Sequence, residues 1–295
     1  MSRLAHDAGE SAIDEHPPRV GRYELGRAIA AGGLATVFHA RDPLTQADVA
    51  VKLATQRPDR AARARDRLRH EGRMLRRFGS PSILSLLDEG EDGLSYLVLE
   101  LAVGSLSHRL EAGVPRDPWT VARIVDQVTD AVTVVHAHGI AHCDVHPGNL
   151  MIVRSARTPD HGQPAALLEP DERLVLGDFD IAVDIADAQR LARRPFGTPR
   201  FRAPEQIAAD GSISVATDTY ALGALTWALV AGTSPPFPDE IHDATAVVPP
   251  WWATVLRIAM ATDPEQRFPS AAAWREAVRE ALDTDLDQAG HDPLR

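Results

Sequence analysis

The hydrophobic period of the chain changes once. From Tyr23 the apolar residues come in short runs at strand spacing, over Tyr23 to Ala28, Thr36 to Arg41 and Val49 to Ala54. Asp59 to Phe78 reads as a helix rich in Arg and Ala, with Leu68, Met74 and Leu75 inward and a strongly basic solvent face. Ile83 to Leu87 and Tyr96 to Glu100 read as two more strands. After Ala102 the pattern turns helical, over Leu106 to Ala112, Trp119 to His138, Val215 to Ala231, Trp251 to Met260 and Ser270 to Leu282. The expectation is an α+β chain of two lobes: a small β-rich lobe over 21–101 and a larger helical lobe over 102–283. They join near Leu101 to Gly104. Residues 1–20 read as a polar, flexible leader and 284–295 as a frayed acidic tail. Ser155 to Glu172 is a polar, Pro-containing insert between strand-like Leu150 to Val153 and Arg173 to Leu176, a long loop or elongated hairpin. No internal repeat is visible.

Composition narrows the class. With 295 residues, 44% of them hydrophobic, the chain can bury a sizeable core. Its net charge of −11 argues against nucleic-acid binding through a general basic field. The single cysteine, Cys143, excludes an internal disulfide and fits a reducing, cytoplasmic setting. The N-terminus lacks an apolar signal region, and no run reaches the ~20 apolar residues of a membrane span.

Two short stretches carry the candidate chemistry. His142-Cys143-Asp144-Val145-His146-Pro147-Gly148-Asn149 offers a carboxylate at Asp144 and an amide at Asn149. Asp178-Phe179-Asp180 adds carboxylates beside an aromatic of buried type. Such a set can take a proton from a hydroxyl and hold Mg²⁺ against a nucleotide phosphate. Upstream, Ala30 to Val37, with Gly32 and Gly33, forms a Gly-rich turn where backbone N–H groups can approach phosphate oxygens. Val49-Ala50-Val51-Lys52 sets one Lys among apolar strand residues, and Glu71 on the following helix is its candidate carboxylate partner.

In this order the motifs resemble those of bacterial eukaryotic-like Ser/Thr protein kinases over nearly the whole chain. The resemblance implies a two-lobed protein-kinase fold that transfers the γ-phosphoryl group of ATP, with Mg²⁺, to a protein Ser or Thr. It implies that Lys52 contacts the phosphates and that Asp144 is the base or hydroxyl-orienting group. It also implies that Asn149 and Asp178 hold the metal. The nucleotide site would comprise Ala30, Gly32, Gly33, Val37, Ala50, Lys52, Glu71, Glu100 and Ala102, with backbone at Glu100 to Ala102 meeting the adenine. Gly197-Thr198-Pro199-Arg200-Phe201-Arg202-Ala203-Pro204-Glu205 resembles the family segment that shapes the peptide-binding surface. Arg267 is placed like the Arg that pairs with that Glu, and Asp218 like the Asp that holds the catalytic loop.

Three positions depart from the family. Cys143 replaces an Arg, His146 a Lys, and Asp180 the Gly of D-F-G. Of the loop glycines expected at Ala30, Gly32 and Ala35, only Gly32 is present. H-x-D-x-H-P-G-N followed by D-F-D also resembles aminoglycoside and other small-molecule phosphotransferases. Such an enzyme, or a regulatory nucleotide-binding pseudokinase, are the alternative readings. Antibiotic kinases lack the trio of Glu205, Asp218 and Arg267 motifs. His146 would either supply charge as an imidazolium or hydrogen-bond Asp144 or Thr198 to fix the loop. Ile181 to Gly197 contains no Ser, Thr or Tyr, and the phosphate-receiving Arg is absent, so no phosphorylation switch is expected there. Ser234 to Pro250 leaves little room for a substrate-docking helix. The expected partners are ATP and a hydroxyl-bearing protein (or small molecule), with neither nucleic acid nor membrane.

Overall fold

A computed structural model describes residues 18–290 except 92, 115, 155–163, 191–195 and 209–210. Residues 1–17 of the leader, 155–163 of the insert and 291–295 of the tail lie outside the described residues.

The first lobe is a six-stranded sheet with one helix. Its strands are β1 (Arg19–Val20), β2 (Tyr23–Ala31), β3 (Ala35–Arg41), β4 (Asp48–Ala54), β5 (Leu86–Gly90) and β6 (Tyr96–Glu100); α1 (Ala61–Leu75) follows β4. The spatial order is β1-β2-β3-β4-β6-β5. Period-two alternation gives the sheet two apolar faces. Val49 and Val51 join Tyr23, Leu25, Ala40 and Val98 on one face, while Ala50 and Ala54 join Leu68, Leu97 and Leu99 on the other. Lys52 shares the second face, which α1 covers. On α1 the buried residues Ala64, Leu68, Glu71 and Leu75 recur at helical spacing. Glu71 is thus an acid on an otherwise apolar stripe, aimed at the sheet. Gly72 lets the helix lie close: a Cβ there would sit 2.8 Å from Glu89 Oε2 and 3.0 Å from Leu97 Cδ2.

The second lobe begins with β7 (Gly104–Ser105), α2 (Leu106–Glu111) and α3 (Pro118–Ala137). Asp117 caps α3 by accepting from Thr120 N at 2.9 Å, ahead of Pro118 at the first helical position. Then come β8 (Ile140–Ala141), β9 (Leu150–Arg154), β10 (Glu172–Leu176) and β11 (Val183–Asp184). The helices α4 (Val215–Val230), α5 (Ile241–Ala244), α6 (Pro250–Ala259) and α7 (Ala271–Gly290) complete it. α4 is buried along nearly its whole length, which matches its all-round apolar sequence.

Two expectations are revised. The strand expected over Ile83 to Leu87 forms instead at Leu86–Gly90, because Ile83 and Leu84 are drawn to the lobe junction. There Leu84 N donates to Leu176 O at 2.9 Å. The last helix does not end at Leu282 but runs to Gly290, with Arg275 and Arg279 each 2.8 Å from Asp130 and Asp126 of α3. The strands flanking the insert pair as the expected elongated hairpin, and its described part also buries apolar side chains. Its closing strand pairs Glu172 with Arg154, Leu167 and Leu168 are buried, and Arg123 donates to Leu168 O and Glu169 O at 2.9 and 3.1 Å. The Glu172 carboxylate is fully buried between Arg109 and Arg154, at 2.8 and 2.7 Å. Among the described residues between Ser234 and Pro250 there is room for only one α-helix, the four-residue α5, as the short, Pro-rich stretch implied.

Candidate active site

The lobes face each other across a cleft of about 2030 Å³. Every nucleotide-site residue expected from sequence lines it: Ala30, Gly32, Gly33, Val37, Ala50, Lys52, Glu71, Glu100 and Ala102, with Asn149 and Asp178 opposite. The hinge acid Glu100 is held from the second lobe by Arg173 at 2.5 Å, a contact that no local sequence pattern announces.

Lys52 Nζ donates to Glu71 Oε2 at 2.7 Å and to Asp178 Oδ1 at 2.8 Å. Burial works against its charge, but these two carboxylates more than offset that and raise the Lys52 pKa. Burial pushes the Glu71 carboxyl up against the pull of Lys52. Desolvation works against the half-exposed Asp178 carboxylate, but Lys52 outweighs it and holds the group below the usual carboxylate range. Its backbone is left-handed, with φ of 59°, a conformation that L-residues adopt rarely and that recurs at functional positions. Phe179 is fully buried against the rings of His142 and Phe78, at 4.6 and 5.1 Å. Asp180 lines the cleft, and burial together with the Asp178 charge raises its pKa.

The loop from His142 to Asn149 is pinned from below. Asp218, buried on α4, accepts from His142 N and Cys143 N at 2.8 Å and lies 2.9 Å from His136 Nε2. These bonds fix Cys143 at a φ of 67° and aim Asp144 outward. Asn149 Nδ2 donates to Asp144 O at 2.9 Å and to Oδ2 at 3.3 Å. Its nitrogen is therefore engaged, and its oxygen is the atom offered outward. Thr198 N donates to Asp144 Oδ1 at 2.7 Å, and His146 Nε2 lies 3.7 Å from Oδ2. Burial pushes the Asp144 carboxyl up, but His146 and Thr198 outweigh it and hold it at about 2.

His146 Nδ1 accepts from Gly148 N at 3.1 Å, which leaves the Nε2 proton facing Asp144. The ring also packs beside Phe201, with centroids 5.8 Å apart. The ring is thus held by its own loop at Gly148 and stands at ion-pair rather than hydrogen-bond distance from Asp144.

The donor set fits a nucleotide-borne Mg²⁺. Asp178 and the Asn149 carbonyl are hard oxygen donors, and Mg²⁺ completes its shell with phosphate oxygens and water. Among the described residues no group of three or more His, Cys, Asp or Glu side chains forms a metal cage by itself.

The segment from Gly197 to Glu205 abuts this loop. Arg202 holds Gly197 O, and Gln206 Nε2 donates to Cys143 O at 2.7 Å. Glu205 is buried and bound by Arg267 through two 2.8 Å hydrogen bonds. Gln206 had no sequence signal.

Comparison with known proteins agrees. The protein kinase domain family matches residues 23–274. The chain is 29% identical over 289 residues to the serine/threonine-protein kinase PknH of Mycobacterium tuberculosis, covering 91% of this chain and 43% of that protein. It is 30% identical over 292 residues to serine/threonine-protein kinase PknB of Mycobacterium leprae, covering 88% and 43%. It is 33% identical over 233 residues to the probable serine/threonine-protein kinase CE0033 of Corynebacterium efficiens, covering 76% and 33%. The chain spans less than half the length of these relatives. On its motifs, its two-lobed fold and this match, the chain belongs to the protein kinase domain family.

Proposed function

We propose that this chain transfers the γ-phosphoryl group of Mg-ATP to a Ser or Thr hydroxyl of a protein substrate. The observation that carries the reading is the Thr198 amide on Asp144 Oδ1 at 2.7 Å. It joins the segment anchored by Glu205 and Arg267 to the carboxylate that meets the acceptor hydroxyl. A peptide laid along that segment would bring its hydroxyl to Asp144 Oδ2. The relatives' names supply the Ser/Thr class.

The residues divide the work by position. When bound, Mg²⁺ would neutralise charge developing on the phosphates, with Asp178 and Asn149 as its protein ligands. Lys52, fixed by Glu71, would orient the phosphates. Asp144, ionised and locked by Asn149, Thr198 and His146, would orient the hydroxyl and accept its proton. Backbone of Glu100 to Ala102 would bind the adenine. A cytoplasmic setting is part of the same proposal.

Incubation with labelled ATP, against a protein extract and separately a metabolite panel, tests it. Label in protein that is lost in Asp144→Asn supports the reading. Label only in a metabolite would instead identify a small-molecule phosphotransferase. Thermal stabilisation by Mg-ATP with no transfer to either would identify a nucleotide-binding regulator.

A further inference from the structure

The proposed reaction needs Glu71 turned inward onto Lys52. Many switchable sites of this kind are ordered by a phosphate paired with an Arg. Here Ile181 to Gly197 carries no Ser, Thr or Tyr, and Cys143 precedes Asp144. Other contacts do the holding, and they lie on both sides of the segment that leads from Asp180 through β11 to Ile185.

On one side, α1 reaches the stretch through three side chains. Arg67 Nη1 donates to Asp180 O at 2.6 Å, and His70 Nε2 donates to Ala182 O at 2.7 Å. Arg77, two residues past the end of α1, meets Asp184 Oδ1 at 2.6 Å and donates to His138 O at 2.8 Å. The contacted residues, Asp180, Ala182 and Asp184, follow one another from the turn closed by Ala182 N on Phe179 O into β11. Arg67 and His70 leave α1 on the flank that also carries Glu71, and Arg77 follows just past its C-terminus. The basic solvent face expected of this helix is thus partly a docking face.

On the other side, the intervening residues are apolar. Ile181, Val183 and Ile185 pack with Ala141, Cys143, Ala188, Ile213 and Phe196. Cys143 is buried in this cluster, where the resembled kinases place a charged Arg. The two observations are complementary: a segment without a phosphate acceptor rests on a thiol rather than a guanidinium.

We propose that Arg67, His70 and Arg77 are positioning residues for the Lys52–Glu71 pair. With the Cys143 cluster they clamp the stretch from Asp180 to Ile185 and hold the site assembled without phosphorylation. The inference rests on the phosphotransfer reading above.

The full-length chain tests it. Phosphatase treatment, verified by mass spectrometry, leaves the initial rate unchanged. Arg67→Ala and His70→Leu each lower kcat about ten-fold or more, the scale of a reacting group displaced from its working position. His70→Gln, which keeps a side-chain N–H donor, restores most of the rate. Arg69→Ala, on the same helix but bound to Glu91 and near Asp66, leaves the rate unchanged. A second readout is independent of turnover. Lys52 is the only lysine in the chain, so an amine-reactive N-hydroxysuccinimide ester followed by peptide mapping reports on that residue alone. Its labelling accelerates several-fold in Arg67→Ala and His70→Leu and not in Arg69→Ala. Unchanged kcat and unchanged Lys52 labelling in an Arg67→Ala/His70→Leu double variant would overturn the clamp, as would a rate that collapses on phosphatase treatment. If the parent chain transfers phosphate to nothing, the phosphotransfer reading fails, and the Lys52 labelling still decides the clamp.

Discussion

Arg267 meets Glu205 through two 2.8 Å hydrogen bonds across 62 residues of sequence, with both side chains buried. Arg267 also donates to Ala216 O and Ala261 O at 2.8 Å, and Thr217 Oγ1 donates to Glu205 at 2.9 Å. Breaking a pair of this kind leaves an uncompensated buried charge, which costs about 3–5 kcal/mol. Arg267→Met should lower stability by that order in urea melts. Adding Glu205→Gln should restore part of the loss, because the stranded charge is gone. A single variant within about 0.5 kcal/mol of the parent, the scale of ordinary surface changes, would contradict a structural role for the pair.

Asp178→Ala tests the metal assignment. Transfer should fall to background while the fold persists. Stabilisation by Mg-ATP should shrink as well. A ligand at about 100 times its Kd raises stability by about 2.7 kcal/mol, so its loss is readable in thermal melts. More than a few per cent residual activity would remove Asp178 from the metal site.

His146 and Gly148 should act as one unit. A Cβ at position 148 would lie 2.6 Å from His146 Cε1 and 3.0 Å from Nδ1, so Gly148→Ala displaces the ring that faces Asp144. Gly148→Ala and His146→Ala should lower kcat to similar extents, and the double variant should be no worse than either. Fully additive losses would separate the two residues.

How much of this site could be read from sequence follows from how far apart its partners lie. Lys52 and Glu71 were visible because strand and helix periodicities place both on buried faces. Asp144, Asn149 and Asp178 were visible because H-x-D-x-x-x-x-N and D-F-D resemble the motifs of the protein-kinase family in its order. The Thr198 amide on Asp144 was not, since a backbone donor leaves no residue signature. Nor were the ties from Arg67, His70 and Arg173, which cross from one lobe to the other over 113, 112 and 73 residues. In the helix pattern Arg67 and His70 read only as part of a polar solvent face. Within the expected hairpin, the burial of Leu167 and Leu168 was hidden because two apolar residues in a polar stretch show no period. At the C-terminus, Val278, Ala281 and Leu282 mark a buried stripe, but the acidic residues that follow hid the helix continuing to Gly290.

Asp144 also sets a pH dependence. Its carboxyl titrates at about 2 in the folded chain, against an ordinary value near 3.9. A depressed folded pKa means that the stabilisation is complete above the unfolded value and is lost as pH falls toward the folded one. The full effect is on the order of 2 kcal/mol. The stability difference between the parent and Asp144→Asn should therefore narrow between about pH 5 and about pH 2. Urea melts across that range check the sign. In the rate profile Asp144 should contribute no acid limb near neutrality.

Phosphopeptide mass spectrometry tests the proposed activity most directly. The purified chain is incubated with Mg-ATP and a dephosphorylated protein extract, beside an Asp144→Asn control. A protein phosphotransferase leaves new phosphate on Ser or Thr of protein, and none above background in the control. Protein with no phosphate beyond the control, from a chain that Mg-ATP nonetheless stabilises, would contradict the proposed function.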